Sequence, residues 1–244
     1  VDGLILDLED AVAPDHKVAA RENACAAARS GDYGQREVTI RINASGTQWH
    51  DDDLAAACAA GPDGIAVPKV DSAQEVLDLV AAMERHGALA HTRLWAMVET
   101  PRAVLAVGEI ADASPRLAAL VIGTNDLVKE LGARHVPGRA PLLTALSLAL
   151  LAARRAGVAI LDGVYNDVVD LDGFVAECRQ GRDLGFDGKT LIHPGQVGPC
   201  NEVFAPSQEE VQDARDVLAA WDAGAGSGVV THRGRMVEHL HVEI

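Results

Sequence analysis

The chain of 244 residues predicts a (β/α)8 barrel, and three observations carry that prediction. Short β-rich apolar runs recur roughly every thirty residues, and each is followed by a segment with apolar residues at helical spacing. Charged groups gather just past the ends of these runs and are nearly absent inside them. Continuous apolar strands alternating with helices mean a parallel sheet covered on its outer face. An open doubly wound sheet fits less well, because no glycine-rich phosphate loop follows the first strand.

The first run is Gly3–Leu6, followed by the helical segment HKVAARENACAAARS. Next come Val38–Ile42, Gly64–Val67 and Leu94–Val98, with SAQEVLDLVAAMERHG as the helix after the third run. Leu120–Ile122 and Val158–Leu161 flank PLLTALSLALLAARRAG, and a weaker run spans Lys189–Ile192. Glycine stands at or just past several helix ends, where a left-handed residue closes the last turn. Seven units are one short of a barrel, and the chain begins inside a strand, as though a first βα unit were lacking. Residues 1–223 are assigned to the barrel, and its last helix is SQEEVQDARDVLAAWDAG, with acidic residues in its first turn. Residues 224–244 form an appendage or lid, joined through a glycine-rich hinge at Gly224–Gly228.

Composition narrows the function. Hydrophobic residues make up 48% of the chain, yet no apolar stretch approaches the ~20 residues of a membrane helix. A net charge of −15 argues against nucleic acid and anionic membrane as partners. The four cysteines lie far apart and form no CxxC, which fits reduced thiols and a cytoplasmic protein.

In a barrel the active site lies at the C-terminal strand ends. Those positions hold Asp7, Glu9 and Asp10, then Arg41 and Asn43, Lys69, Glu99, Asn125 and Asp126, and His193. Glu99 before Thr100-Pro101 has a bland explanation as a neighbour of a helix cap, and Asn125 or Asp126 has one as a cap itself. Together, however, Glu99 and Asp126 place two carboxylates side by side on consecutive parallel strands. Oxygen ligands without nearby Cys or His suit Mg²⁺ or Mn²⁺. Arg41 has two readings: an internal ion pair with Asp7 or Glu9, or a two-pronged clamp on a substrate carboxylate. Lys69 fits a phosphate or carboxylate contact better than a Schiff base. His193 reads as a loop hydrogen bonder, and His239 and His241 as surface residues.

LDLEDAV, RIN, PK, VET, GTNDL, IHP and a late G-x-M-V-acid motif occur here in one order. In that order they resemble the citrate lyase β-subunit-like proteins of the HpcH/HpaI aldolase group, which includes malyl-CoA lyases. The resemblance covers Leu4 to about Glu238. It implies a Mg²⁺-dependent barrel, a homotrimer or dimer of trimers, that makes or breaks a carbon–carbon bond next to a CoA thioester. Glu99 and Asp126 would hold the metal, and Arg41 would grip the oxo-acid carboxylate. Glu9 and Asp10 would stand behind the metal, while Glu238 would reach a neighbouring subunit's site as an acid or base. Two departures stand out: no PG-[DN]-R-P-like turn precedes Val1, and the tail reads Met236-Val237-Glu238 where relatives have Asp last. A thioesterase, an aldolase of free oxo-acids and a silent assembly subunit are the competing readings.

Overall fold

The computed structural model describes residues 1–224 and 228–242. Seven strands form one parallel sheet: β1 (Gly3–Asp7), β2 (Glu37–Arg41), β3 (Gly64–Val67), β4 (Arg93–Val98), β5 (Leu117–Ile122), β6 (Ala159–Asp162) and β7 (Gly188–Lys189). Their order in the sheet is their order in the chain, with β1 and β7 at the two edges. The helices between them are α1 (Lys17–Ser30), α2 (His50–Ala60), α3 (Ala73–Arg85), α4 (Pro101–Asp112), α5 (Thr124–Glu130), α6 (Leu143–Ala156) and α7 (Leu171–Leu184). After β7 come α8 (Val197–Phe204), α9 (Gln208–Ala223) and an antiparallel hairpin of β8 (Val230–His232) and β9 (Arg235–Val237).

Local chemistry explains the helix ends. Ser72 caps α3 by accepting from the Glu75 N–H, and Thr100 caps α4 from Ala103 with Pro101 in the first turn. Gly31, Gly61, Gly157 and Gly185 close α1, α2, α6 and α7 in the left-handed region that a Cβ disfavours.

Alternate strand residues face opposite sides of the sheet. Ile40, Ile65, Leu94, Val98, Leu120, Ile122 and Ile160 join helix residues such as Leu54, Met83, Ile110 and Leu146 in one buried core. The opposite strand face carries Thr39, Ala66, Met97, Ala119 and Val121, all buried but outside that cluster. On the edge strand, Ile5 stays 39% exposed.

Two compact units divide the chain, Val1–Asn201 and Glu202–Ile244. The sequence reading set its boundary later, at 223/224. In the second unit the hairpin is tied to α9: Arg233 pairs with Asp213 and Asp216, and His232 lies 3.3 Å from Asp213. The Trp221 and His239 rings also meet edge to face. Residues 225–227, the centre of the expected hinge, lie outside the described residues.

Candidate active site

The parallel register sets Asp7 beside Arg41, and Arg41 beside Ala66, at the C-terminal ends of their strands. Arg41 therefore meets Asp7 in a two-pronged pair, Nε to Oδ1 and Nη2 to Oδ2, both 2.6 Å. Its Nη1 lies 3.2 Å from the Glu9 carboxylate. Asp7 also accepts from the Glu9 and Ala11 N–H groups, which folds the chain sharply after β1. Burial alone would raise the Asp7 pKa, but Arg41 and those two N–H groups outweigh it and hold it below the ordinary carboxylate range. Of the two readings of Arg41, the internal pair exists. A clamp on a ligand must use the Nη1–Nη2 edge that Asp7 leaves free.

Beyond β3, Lys69 adopts a left-handed backbone (φ 54°), uncommon for a residue with a Cβ. Its N–H donates to Glu99 Oε1 at 2.9 Å, while its ammonium lies 3.3 Å from Asp126, 3.7 Å from Glu9 and 3.9 Å from Glu99. Three carboxylates from three strand ends thus converge on one lysine. Glu99 is 2% exposed, and its pKa is pushed up to about 7. Burial is the main cause, with Glu9 and Asp126 adding to it and Lys69 opposing. Burial likewise raises Glu9, against the pull of Arg41.

Asp126 is not a helix cap. It lies in the first turn of α5, whose cap position is Gly123, and Asn125 is engaged with Asn166. Gly123 has its own reason: a Cβ there would fall 2.0 Å from Glu99 Oε2. The glycine of GTND is therefore the space that the Glu99 carboxylate occupies.

Asp10 is exposed and acts on Glu9 and Arg41 through its charge. His193 accepts from the Gly195 N–H, a loop bond as expected. Glu238 belongs to the second unit, where it caps a short 3-10 turn and donates its N–H to His241 Nδ1 at 3.0 Å.

Sequence reasoning missed Lys17. Buried beneath the LEDAV turn, its ammonium donates three 2.7 Å bonds, to the Leu8 and Glu9 carbonyls and to Asn43 Oδ1. Asn43 in turn donates to Asp53, which pairs with Arg21. The signal was a lysine on the same helical stripe as the buried Ala24 and Cys25. A second buried network stands between β6, β7 and α7. Asp162 accepts from Arg139 at 2.6 Å and from Lys189 at 3.1 Å, and Lys189 also reaches Glu177 at 2.8 Å.

Among the described residues no group of three or more His, Cys, Asp or Glu side chains is arranged to hold a metal ion. Glu99 and Asp126 nonetheless offer hard oxygen donors, and a cation, the Lys69 ammonium, already lies within reach of both. That donor set fits Mg²⁺ or Mn²⁺, which take one or two carboxylates plus water and substrate oxygens.

Residues 1–194 match the family model described as HpcH/HpaI aldolase/citrate lyase. The (3S)-malyl-CoA thioesterase of Cereibacter sphaeroides is 47% identical over 99% of this chain and 83% of its own length. Citrate lyase subunit beta of Escherichia coli is 38% identical over 97% of this chain and 81% of its own. Among solved structures, CitE from Mycobacterium tuberculosis in complex with magnesium, acetoacetate and coenzyme A superposes with a TM-score of 0.80. It is 34% identical and covers 100% of this chain, against 88% of that one. Motif order, strand-end carboxylates and these likenesses agree: the chain belongs to the HpcH/HpaI aldolase/citrate lyase family.

Proposed function

We propose that the protein is a Mg²⁺-dependent carbon–carbon lyase acting on a β-hydroxyacyl-CoA of the malyl-CoA or citryl-CoA type. It releases an oxo-acid and an acyl-CoA. The observation that carries this reading is the pair Glu99 and Asp126 on consecutive strand ends, with Arg41 and Lys69 beside them. Relatives named for malyl-CoA and citrate, and a neighbour holding magnesium and coenzyme A, support it.

Glu99 and Asp126 would hold the ion, with Mn²⁺ as a substitute. When bound, it supplies Lewis-acid stabilisation of the substrate's hydroxyl and carboxylate oxygens. Arg41 orients the carboxylate through its Nη1–Nη2 edge, and Lys69 supplies a second positive contact. Glu9, its proton affinity raised by burial, takes the hydroxyl proton. As the carbon–carbon bond breaks, its electron pair passes to the thioester α-carbon, which then takes a proton from Glu238 of a neighbouring copy. Asp10 adds negative charge behind Glu9 and Arg41.

This reading includes a closed eight-stranded barrel, with an additional strand between the β1 and β7 edges, and a homotrimer or dimer of trimers. It places the protein in the cytoplasm, with no nucleic acid or membrane partner. No helix among the described residues is long and apolar enough to cross a membrane.

A second reading, hydrolysis of the thioester, is favoured by the name of the relatives at 46–47% identity. It uses the same groups, with water attacking the thioester carbonyl. One assay separates the two. Incubating the protein with malyl-CoA or citryl-CoA and Mg²⁺ should release an oxo-acid, with acyl-CoA retaining the thioester. Release of free CoA without oxo-acid establishes the hydrolase. No turnover of either substrate, with or without metal, removes both.

A further inference from the structure

At the ends of β1 to β5 stand two lysines, the buried Lys17 and the half-buried Lys69, and they are held differently. Lys17 spends all three ammonium protons on bonds of 2.7 Å. Lys69 stands 3.3 to 3.9 Å from three carboxylates, wider than the 2.7–2.9 Å of a charge-assisted hydrogen bond. It is shared among three groups and held closely by none. Its side chain is 37% exposed, so its four-carbon stem has room to swing outward. Its backbone cannot drift, because the left-handed turn and the N–H bond to Glu99 anchor it. Backbone held in a sparsely populated region recurs where a site must be positioned.

We infer that Lys69 is a built-in counter-cation. Its ammonium balances Glu9, Glu99 and Asp126 until a divalent ion takes the same oxygens, and the displaced ammonium then grips the anionic end of the bound acid. This rests on Glu99 and Asp126 being the metal ligands. It goes further by making Lys69 a competitor of the metal and, after displacement, a partner of the substrate. Arg41 cannot take that part, since Asp7 holds one edge of its guanidinium through two 2.6 Å bonds.

The consequence is counter to the usual effect of truncating a site residue. Lys69→Met should bind the metal more tightly, because Glu99 and Asp126 then lose their cation while Arg41 stays with Glu9. The test is Mn²⁺ titration of the full chain by electron paramagnetic resonance, for the wild type and Lys69→Met, with and without pyruvate as a small oxo-acid probe. The substituted position is half exposed at the rim, and circular dichroism verifies that the fold persists. We expect about tenfold tighter Mn²⁺ binding in the variant. We also expect pyruvate to tighten Mn²⁺ binding in the wild type more than in the variant, since coupling between two ligands is reciprocal. Equal or weaker Mn²⁺ binding by the variant overturns the counter-cation while leaving the metal site intact. Tighter binding with unchanged pyruvate coupling keeps the competition and overturns the hand-over to substrate. Absence of Mn²⁺ binding in both proteins overturns the metal assignment and this inference together.

Discussion

Two clusters of opposite charges stand at the C-terminal side of the sheet, and they are built to different rules. Behind β6 and β7, Asp162 and Glu177 face Arg139 and Lys189, two acids against two bases. The side chains of Asp162 and Lys189 are 0% exposed. At the mouth, among the described residues, Asp7, Glu9, Glu99 and Asp126 face Arg41 and Lys69, and the Lys69 ammonium makes wide contacts. A balanced buried cluster holds structure in place. An unbalanced one keeps the proton affinities of Glu9 and Glu99 raised and offers oxygen ligands for a cation to claim. Ion pairing by itself therefore says little here, and the balance of charge says much.

The comparison breaks most readily at Lys189. Replacing it by Met leaves Asp162 buried with one partner fewer and should cost about 4 kcal/mol of folding stability. Urea unfolding measures that loss, and catalytic constants below the transition should stay near wild type. A large kinetic defect in a fully folded variant would move this cluster to the functional side.

Next in size is the pH response of the metal-free protein. Glu99 has a pKa of about 7 when folded, against an ordinary value of 4.5. Between those values the folded state binds more protons than the unfolded one, so stability is present below pH 4.5 and falls as pH rises through 7. The loss is at most about 3 kcal/mol at 1.36 kcal/mol per pKa unit. Denaturant midpoints across this range should flatten in Glu99→Gln, and an unchanged slope would place the raised proton affinity elsewhere.

Asp126→Asn tests the mouth from the other side. We expect about a hundredfold loss of kcat/KM with a melting temperature close to wild type, because the residue sits at a rim where packing is little disturbed. Smallest is Arg41→Lys, expected to raise the KM for the oxo-acid in the reverse, bond-forming direction about tenfold, because one ammonium cannot reproduce the guanidinium fork. Lowered stability with unchanged kinetics would show Arg41 to be only the partner of Asp7.

Much of this contrast was legible in the sequence because strand ends announce themselves. The runs at Gly3, Gly64 and Leu94 match strands within a residue or two, since buried parallel strands are continuous apolar stretches. β5 starts earlier than the apolar core of its run, at Leu117, and β7 is only Gly188–Lys189. Beyond it Ile192 donates to the Gln196 side chain and the chain turns at His193. Asp162 escaped notice because its partners, Arg139 and Lys189, are supplied by distant segments whose approach only the fold reveals. The same holds for Lys17 and for the space that Gly123 leaves to Glu99. Spacing identifies which residues reach the mouth. It does not say which of them touch.

Among the described residues, each strand of the sheet pairs with its neighbours in sequence, from β1 to β7. Such a chain emerging from the ribosome adds one βα unit at a time to a growing edge, without waiting for a distant partner. Glu9, Arg41, Lys69, Glu99 and Asp126 all lie on the units made first. The acidic mouth is thus complete while β6 and β7 are still to be synthesised, and the Asp162–Lys189 cluster is the last ionic lock to close on the sheet. During biosynthesis, the strand-end carboxylates of β1 to β5 precede the buried ionic cluster that joins β6 to β7.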